Sequence, residues 1–350
     1  MKLLRRIAAP IAALAIGAST LVAPAALANP AVTVEVAEYP NSDRTWRTVA
    51  KQHGVEQVDI YSPAMDRKIP HAIIKADQPN APTLYLLNGA GGAEQNMDWL
   101  TRYPELVKFY KDRGVNVVIP QEGAFSYYID WANPNPGNSK GYLKGTQLWE
   151  TFLTKELPGA VEDYLGANDK RAIAGFSMSA TSALLLAEKN PGFYNGVGSF
   201  SGCAETSSFI GYKSAELTVD RAGSNIVDML GPMGSPHNRA NDALIHAEGL
   251  RGSELYISNA TGLAGEYDMP GYYTAQGVNP AEASAGAATL IVEGGAIEAA
   301  TNICTHNLKA KLDNLGINAD WNLRPTGTHS WNYWIEDVEK SWPTLQRALF

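Results

Sequence analysis

The 350-residue chain is short of cysteine, short of basic charge and, beyond residue 28, without long apolar runs. Its 2 cysteines cannot staple a disulfide-dense scaffold or complete a four-cysteine zinc site. There is no His-Glu-x-x-His run and no cluster of cysteine with histidine, so neither a metal nor a cofactor is expected to carry its chemistry. Lysine and arginine total 28 against 36 aspartates and glutamates, a formal charge of −8. That balance leaves no cationic surplus to neutralise phosphates, which argues against nucleic acid as a partner. No stretch after residue 28 approaches the roughly 20 apolar residues that a membrane span needs, so no transmembrane segment is expected there. What remains is ordinary globular composition, 45% hydrophobic with 32 glycines and 20 prolines, at a length that suits one large α/β domain.

Residues 1–28 form the one apolar exception. Lys2, Arg5 and Arg6 precede a run of alanine, isoleucine and leucine that ends in Ala26-Leu27-Ala28, the order of a secretory signal peptide with cleavage after Ala28. The remainder, residues 29–350, is then expected to work as one catalytic domain, secreted or held at the cell envelope. In that oxidising setting Cys203 and Cys304 are expected to pair; two buried thiols are the other arrangement open to them.

Strand-like runs at Val55–Tyr61, Ile69–Lys75, Thr83–Leu87, Val115–Pro120, Arg171–Gly175, Val197–Ser201, Glu254–Ser258 and Ala319–Arg324 are rich in β-branched and apolar residues. Helical patterns fall at Pro104–Arg113, Thr146–Leu165, Met178–Lys189, Asn238–Gly249, Ala299–Leu315 and Asn332–Leu349. This alternation predicts a mostly parallel sheet with helices on both faces, begun by antiparallel strands where no helix intervenes. Thr261–Gly295 shows little periodicity and reads as a long functional loop, with Leu263, Met269, Tyr272 and Tyr273 available to cover a bound substrate.

One segment carries chemistry. Arg171-Ala-Ile-Ala-Gly175-Phe176-Ser177-Met178-Ser179 runs from an apolar strand through a tight turn straight into a helix, the setting of a nucleophile elbow. Ser177 would attack an acyl carbonyl, and the Met178 N–H at the helix start would face the oxyanion. A serine in that place also suits a plain helix N-cap. A serine nucleophile needs a base, and the chain order serine, acid, histidine selects His329, on a loop between the last strand and the last helix. Between them Asp268, Glu293, Glu298 and Asp313 are available as the acid, with Glu298 favoured because it stands at the start of a helix. A Cys203–Cys304 bridge would brace that helix against the end of the Val197–Ser201 strand. The second oxyanion donor is expected from the glycine-rich turn Asn88-Gly89-Ala90-Gly91-Gly92, with the Ala90 N–H as the assigned group.

Several longer blocks recur together: Leu86-Leu87-Asn88-Gly89, Asp130-Trp131, Trp149-Glu-Thr-Phe-Leu-Thr-Lys-Glu-Leu-Pro158, Gly175-Phe-Ser-Met178, Gly231-Pro232 with Asn241-Asp242, and Gly327-Thr-His-Ser-Trp-Asn-Tyr-Trp334. In this order, over about residues 80–345, the chain resembles the mycobacterial antigen 85 mycolyltransferases and, more closely, their corynebacterial relatives. The resemblance implies an α/β-hydrolase fold and a Ser177–Glu298–His329 triad with Ala90 and Met178 as oxyanion donors. It also implies a mycolic acyl chain moved from trehalose monomycolate to a hydroxyl on a second such molecule, on arabinogalactan or on another envelope acceptor. Trp331 matches a sugar-contacting tryptophan, and Asn88 stands where the family has a trehalose-contacting aspartate. Where the mycobacterial enzymes carry Asp-Gly-Leu-Arg, this chain has Asn88-Gly89-Ala90-Gly91, so its sugar site is expected to differ. A secreted esterase or lipase with the same triad, or a non-catalytic binding protein on the same fold, are the other functions this resemblance leaves open.

Overall fold

The computed structural model describes residues 31–37, 39 and 42–350, and the signal-peptide reading of residues 1–28 lies outside them. Nine strands form one sheet: β1 (Val34–Val36), β2 (Glu56–Ser62), β3 (Arg67–Ile74), β4 (Thr83–Leu87), β5 (Asn116–Pro120), β6 (Arg171–Phe176), β7 (Gly196–Phe200), β8 (Glu254–Ala260) and β9 (Asp320–Arg324). Their spatial order is β1-β2-β3-β5-β4-β6-β7-β8-β9. The pairings β1/β2, β2/β3 and β3/β5 are antiparallel and all later ones are parallel. This is the expected antiparallel start followed by a parallel sheet.

Both faces are covered, and the strand alternation shows how. In β4, Leu84 and Leu86 point into one core layer, while Tyr85 and Leu87 point into the other. The first layer is closed by Trp46 from the helix Thr45–His53, Tyr110 from Leu106–Lys111, and Trp334, Val338 and Leu345 from Trp331–Leu349. The second is closed by Leu157 and Val161, by the helix Met178–Glu188 and by Leu308 and Leu312 from Gly295–Leu315. A strand covered on both sides is mostly apolar, and β4, β5 and β7 are buried at every position, with one polar residue each in Thr83, Asn116 and Ser199.

Two helical expectations and one loop expectation change. The helix expected over Thr146–Leu165 starts at Trp149 and widens into a π turn at Phe152–Glu156, just before Pro158, which has no N–H to donate. The helix expected over Asn238–Gly249 is instead two short turns, Pro236–Ala240 and Ala247–Leu250. Asp242 is the reason: its carboxylate accepts from Ser207 N (2.7 Å) and Ile245 N (3.0 Å), so a side chain replaces the helical ladder. The long loop expected over Thr261–Gly295 is largely helical, with Pro270–Ala275, Pro280–Thr289 and a π turn at Leu290–Gly294 that continues into Gly295–Leu315. In Pro280–Thr289 the buried positions, Ala283 and Ala287, lie one turn apart but are alanines among other alanines and a glycine, so the sequence displays no apolar stripe. The short β1 and the helices Thr45–His53 and Phe209–Arg221 were not foreseen; the last starts where Ser208 Oγ accepts from Gly211 N (3.1 Å). Among the described residues no helix is long and apolar enough to cross a membrane.

Candidate active site

β6 ends at Phe176 and the next helix starts at Met178, leaving Ser177 alone to make the turn. It does so at φ 55°, ψ −121°, a conformation that non-glycine residues rarely adopt. The turn closes only because its neighbours permit it: a Cβ on Gly175 would lie 2.5 Å from the Ser179 carbonyl oxygen and Oγ. Ser179, where a second glycine is commoner, contributes its hydroxyl, which accepts from Phe176 N (3.1 Å) and donates to Leu87 O (3.2 Å). The Ser177 side chain makes no capping bond, so the N-cap alternative does not describe it. Its Oγ lies 2.7 Å from His329 Nε2.

His329 Nδ1 lies 2.8 Å from Glu298 Oε2, and Glu298 is fully buried. A carboxylate at Nδ1 fixes the proton there, which leaves Nε2 bare to accept the Ser177 hydroxyl proton. The other Glu298 oxygen, Oε1, accepts from Ser201 Oγ (2.9 Å), Ala260 N (2.7 Å) and Asn259 Nδ2. Three donors on one oxygen hold the carboxylate at a single angle and compensate its burial. Ser201 itself sits at φ 55°, one residue beyond β7, so two adjacent parallel strands each end in a strained serine. The Cys203–Cys304 disulfide, S–S 2.06 Å, joins this strand end to the helix that carries Glu298, as expected.

The remaining acid candidates fall elsewhere. Asp313 pairs with Lys309 on the surface, and Glu293 is exposed on the wall of the cleft. Asp268 is fully buried and organises the loop that bears His329: it accepts from Thr328 Oγ1 (2.6 Å), Thr328 N (3.2 Å), Tyr333 OH (2.8 Å) and Gly265 N (2.8 Å). A second buried anchor fixes the other side of that loop, where Arg324 of β9 meets Asp337 of the last helix through two 2.8 Å bonds. Ser201, Asn259, Asp268 and Asp337 were not assigned these tasks from sequence. Their one sequence signal is position, since Ser201 and Asn259 lie at the carboxyl ends of parallel strands.

Ser177 and His329 open on a cleft of about 680 Å³. Gly89–Gly91 form one lip, and Gly89 packs so closely on Phe176 that a Cβ would approach its ring to 2.5 Å. Among the described residues no hydrogen bond within the chain engages the Ala90 or Met178 N–H. Ala90 lies on this lip, and Met178, the first residue of the helix, directly follows Ser177. Trp331 also lines the cleft, with its ring 4.7 Å from Phe176 and 5.5 Å from Trp99 and with the Arg102 guanidinium 5.7 Å over it. Tyr272, Tyr273, Leu290 and Ile297 form an apolar wall, whereas Leu263 and Met269 stand outside it, exposed.

Asn88 is a correction. It is fully buried, its amide donates to Pro120 O (2.8 Å), and its carbonyl accepts from Trp99 N (3.1 Å). Both polar ends are used to tie β4 to β5 and to the helix at Trp99, so this residue cannot contact a sugar in the cleft.

A family model described as putative esterase matches residues 62–345. The chain is similar to the diacylglycerol acyltransferase/mycolyltransferase Ag85A of Mycobacterium tuberculosis, 32% identical over 304 residues that cover 84% of this chain and 81% of that protein. It is similar also to Ag85B of Mycobacterium avium, 30% identical over 309 residues that cover 84% and 83%. Among solved structures, Mycobacterium tuberculosis MPT51 superposes with a TM-score of 0.67 at 19% identity, covering 85% of this chain and 99% of that one. An S-formylglutathione hydrolase from Agrobacterium tumefaciens follows at 0.56 and 15%, covering 85% and 96%. At these identities the two structures share the α/β-hydrolase fold.

Proposed function

Because this chain belongs to the putative esterase family and, within it, to the antigen 85 mycolyltransferases, we propose that it moves a mycolic acyl chain from trehalose monomycolate to an envelope hydroxyl through an acyl-enzyme on Ser177. The observation that carries this reading is the continuous chain Ser177 Oγ–His329–Glu298, with links of 2.7 and 2.8 Å.

In the first half-reaction His329 Nε2 takes the Ser177 proton as Oγ attacks the donor ester carbonyl. Charge on the carbonyl oxygen is met by the Ala90 and Met178 N–H groups, and Glu298 holds and stabilises the imidazolium. Collapse breaks the ester bond, His329 returns the proton to the sugar oxygen, and trehalose leaves. The acceptor hydroxyl then attacks the acyl-enzyme with His329 again as base, and Ser177 Oγ recovers its proton. The apolar wall of Tyr272, Tyr273, Leu290 and Ile297 suits the acyl chain, and the rim with Gln95, Arg102 and Trp331 suits a sugar. Release from the cell through the segment 1–28, and action at the envelope as a single catalytic domain, belong to the same proposal.

Intact-mass measurement on samples acid-quenched within the first turnover after mixing with donor tests it. The mass of one mycoloyl group is expected on the native chain and absent from Ser177→Ala. An unmodified native chain at every quench time, with one equivalent of trehalose already released, would overturn the acyl-enzyme.

A further inference from the structure

Three of the eight non-glycine residues with positive φ among the described residues fall within one turn. Phe125, Tyr127 and Tyr128 stand at φ 64°, 54° and 49°, the left-handed region that bulky side chains rarely enter. All three are buried, at 7% exposure or less. Such a conformation persists only where the surroundings over-determine it, and strain of this kind gathers at functional sites. Inside the turn, Ser126 Oγ donates to Gly123 O (2.7 Å) and accepts from Tyr128 N (3.1 Å). The N–H groups of Phe125 and Tyr127 are spent outside it. Phe125 N donates to Ala90 O (2.8 Å), and Tyr127 N donates to the Met178 sulfur (3.3 Å). These are the two residues whose own N–H groups serve as oxyanion donors in the reaction proposed above.

The topology explains why a separate bridge is needed. Ala90 lies in the loop after β4, and Met178 starts the helix after β6; the ladder between those strands ends at Leu87 and Gly175. Beyond that point no strand pairing fixes one donor against the other. The turn follows β5, which lies on the other side of β4 from β6, so it crosses the carboxyl end of β4 to reach Met178. Both of its ends are pinned. Glu94 Oε1, from the Ala90 loop, accepts from Gly123 N (2.9 Å) and Ala124 N (3.0 Å). Ser182 Oγ, fully buried on the helix Met178–Glu188, donates to Tyr127 O (2.5 Å) and also lies 3.2 Å from Met178 O.

We propose that Phe125–Tyr128 is a positioning element for the oxyanion hole: it sets the separation of the Ala90 and Met178 N–H groups, and Ser182 holds it in its left-handed form. An oxyanion hole works because its donors are fixed before charge develops, so a rigid bridge between them stabilises the transition state and leaves substrate binding alone. Phe125, Tyr127 and Ser182 do not line the cleft; they act through Ala90 and Met178. The assignment rests on the acyl-enzyme reading above.

Two substitutions cut the bridge. Ser182→Ala removes the donor to Tyr127 O, and Met178→Leu removes the sulfur that Tyr127 N meets while keeping the Met178 N–H and a similar volume. The full chain is assayed for hydrolysis of a short p-nitrophenyl ester and for inhibition by an aliphatic trifluoromethyl ketone, whose serine adduct carries an oxyanion. Each variant is expected to lose about 10–100-fold in kcat, the scale of a displaced group and below the roughly 100–1,000-fold of a deleted donor. KM is expected to change little, because both half-reactions use the hole. Ketone affinity is expected to fall by the same factor as kcat/KM, a correspondence that general loosening of the fold would not produce. Since both substitutions cut one bridge, the double variant is expected to lose little more than the worse single one; losses that multiply would overturn the proposal. So would folded variants that keep native kcat/KM, or that lose it with native ketone affinity. If Ser182→Ala does not fold, Met178→Leu carries the test alone. Turnover by Ser177→Ala would overturn the acyl-enzyme reading itself, whereas native-like Ser182→Ala and Met178→Leu beside an inactive Ser177→Ala would overturn this proposal only.

Discussion

Asp268 and Thr328 lie 60 residues apart in sequence and are joined twice, through the threonine hydroxyl at 2.6 Å and its backbone N–H at 3.2 Å. The same carboxylate accepts from Tyr333 OH, so the residues that flank His329 on both sides hang from one buried acid. Donors alone face it. Asp268→Asn would aim an NH2 at one of them, shifting the His329 loop without touching the reacting atoms. Misplacement of a base by about 1 Å can lower turnover about 100-fold. We expect a loss of that order in kcat, with KM for a short ester changed much less and the fluorophosphonate labelling rate of Ser177 falling in parallel. Stopped-flow and labelling kinetics check it; native labelling with Asp268→Asn would contradict the positioning role.

Glu298→Gln probes the acid more sharply than Glu298→Ala. The oxygen is drawn to the side where Ser201, Asn259 and Ala260 donate, so the new NH2 faces His329 Nδ1. That stabilises the tautomer with its proton on Nε2, which cannot accept from Ser177. The expected loss is about 10³–10⁴-fold in kcat, the scale of a wrong-tautomer substitution in a catalytic triad, with circular dichroism unchanged. A loss below tenfold in an ester-hydrolysis assay would remove Glu298 from the proton chain.

The Cys203–Cys304 bridge closes a loop with a sequence separation of 101 and fixes the helix of Glu298 to the end of β7. Chain entropy for a loop of that length amounts to at most about 4.7 kcal/mol, and measured values usually fall at about 2–4. Cys203→Ser with Cys304→Ser is expected to lower Tm by several degrees and activity by more than the unfolded fraction accounts for. Scanning calorimetry with a parallel activity assay separates the two effects. Equal melting temperatures would show that the bridge contributes nothing to stability.

Burial pushes the Glu94 carboxyl up to about 7, with the nearby Glu122 raising it further and the Ala124 and Gly123 N–H groups opposing. The folded chain therefore holds a proton that the unfolded chain gives up near the ordinary value of 4.5. Stability contributed by this group is present in full below about 4.5 and declines as pH rises through 7, by up to about 3 kcal/mol. Glu94→Gln keeps the acceptor for Gly123 and Ala124 and cannot ionise. Its Tm is expected to exceed that of the native chain at pH 8 and to converge with it at pH 4.5. A constant difference across that range, by differential scanning fluorimetry, would contradict the assignment.

The geometry of the site was legible where residue order and backbone conformation coincide. Ser177, Met178 and His329 announce themselves through a strand, a turn and a helix in fixed order, and the eight foreseen strands match within a residue or two, most plainly β4, β5 and β7, where burial at every position selects short, mostly apolar runs. Glu298 stood out only by its place at a helix start; what holds it is a set of three donors, one just beyond β7 and two from β8, a relation no local pattern carries. Asp268 was visible as an acid but not as a brace, since its partners in the His329 loop follow 60 or more residues later. Asn88 was misread because a polar residue beside a catalytic loop resembles a ligand contact, and nothing in the sequence shows that Pro120 and Trp99 occupy both its ends. The Pro280–Thr289 helix was hidden by its composition, since alanines at buried and exposed positions alike leave no apolar stripe to identify it.

Product partition tests the central claim most directly. Native chain and Ser177→Ala are given trehalose monomycolate, with trehalose and an arabinogalactan fragment as acceptors, and the acylated products are resolved by mass spectrometry. The account predicts mycoloyl transfer to an acceptor hydroxyl by the native chain and none by the variant. Free mycolic acid as the only serine-dependent product would contradict acyl transfer and make this chain an esterase on the same triad.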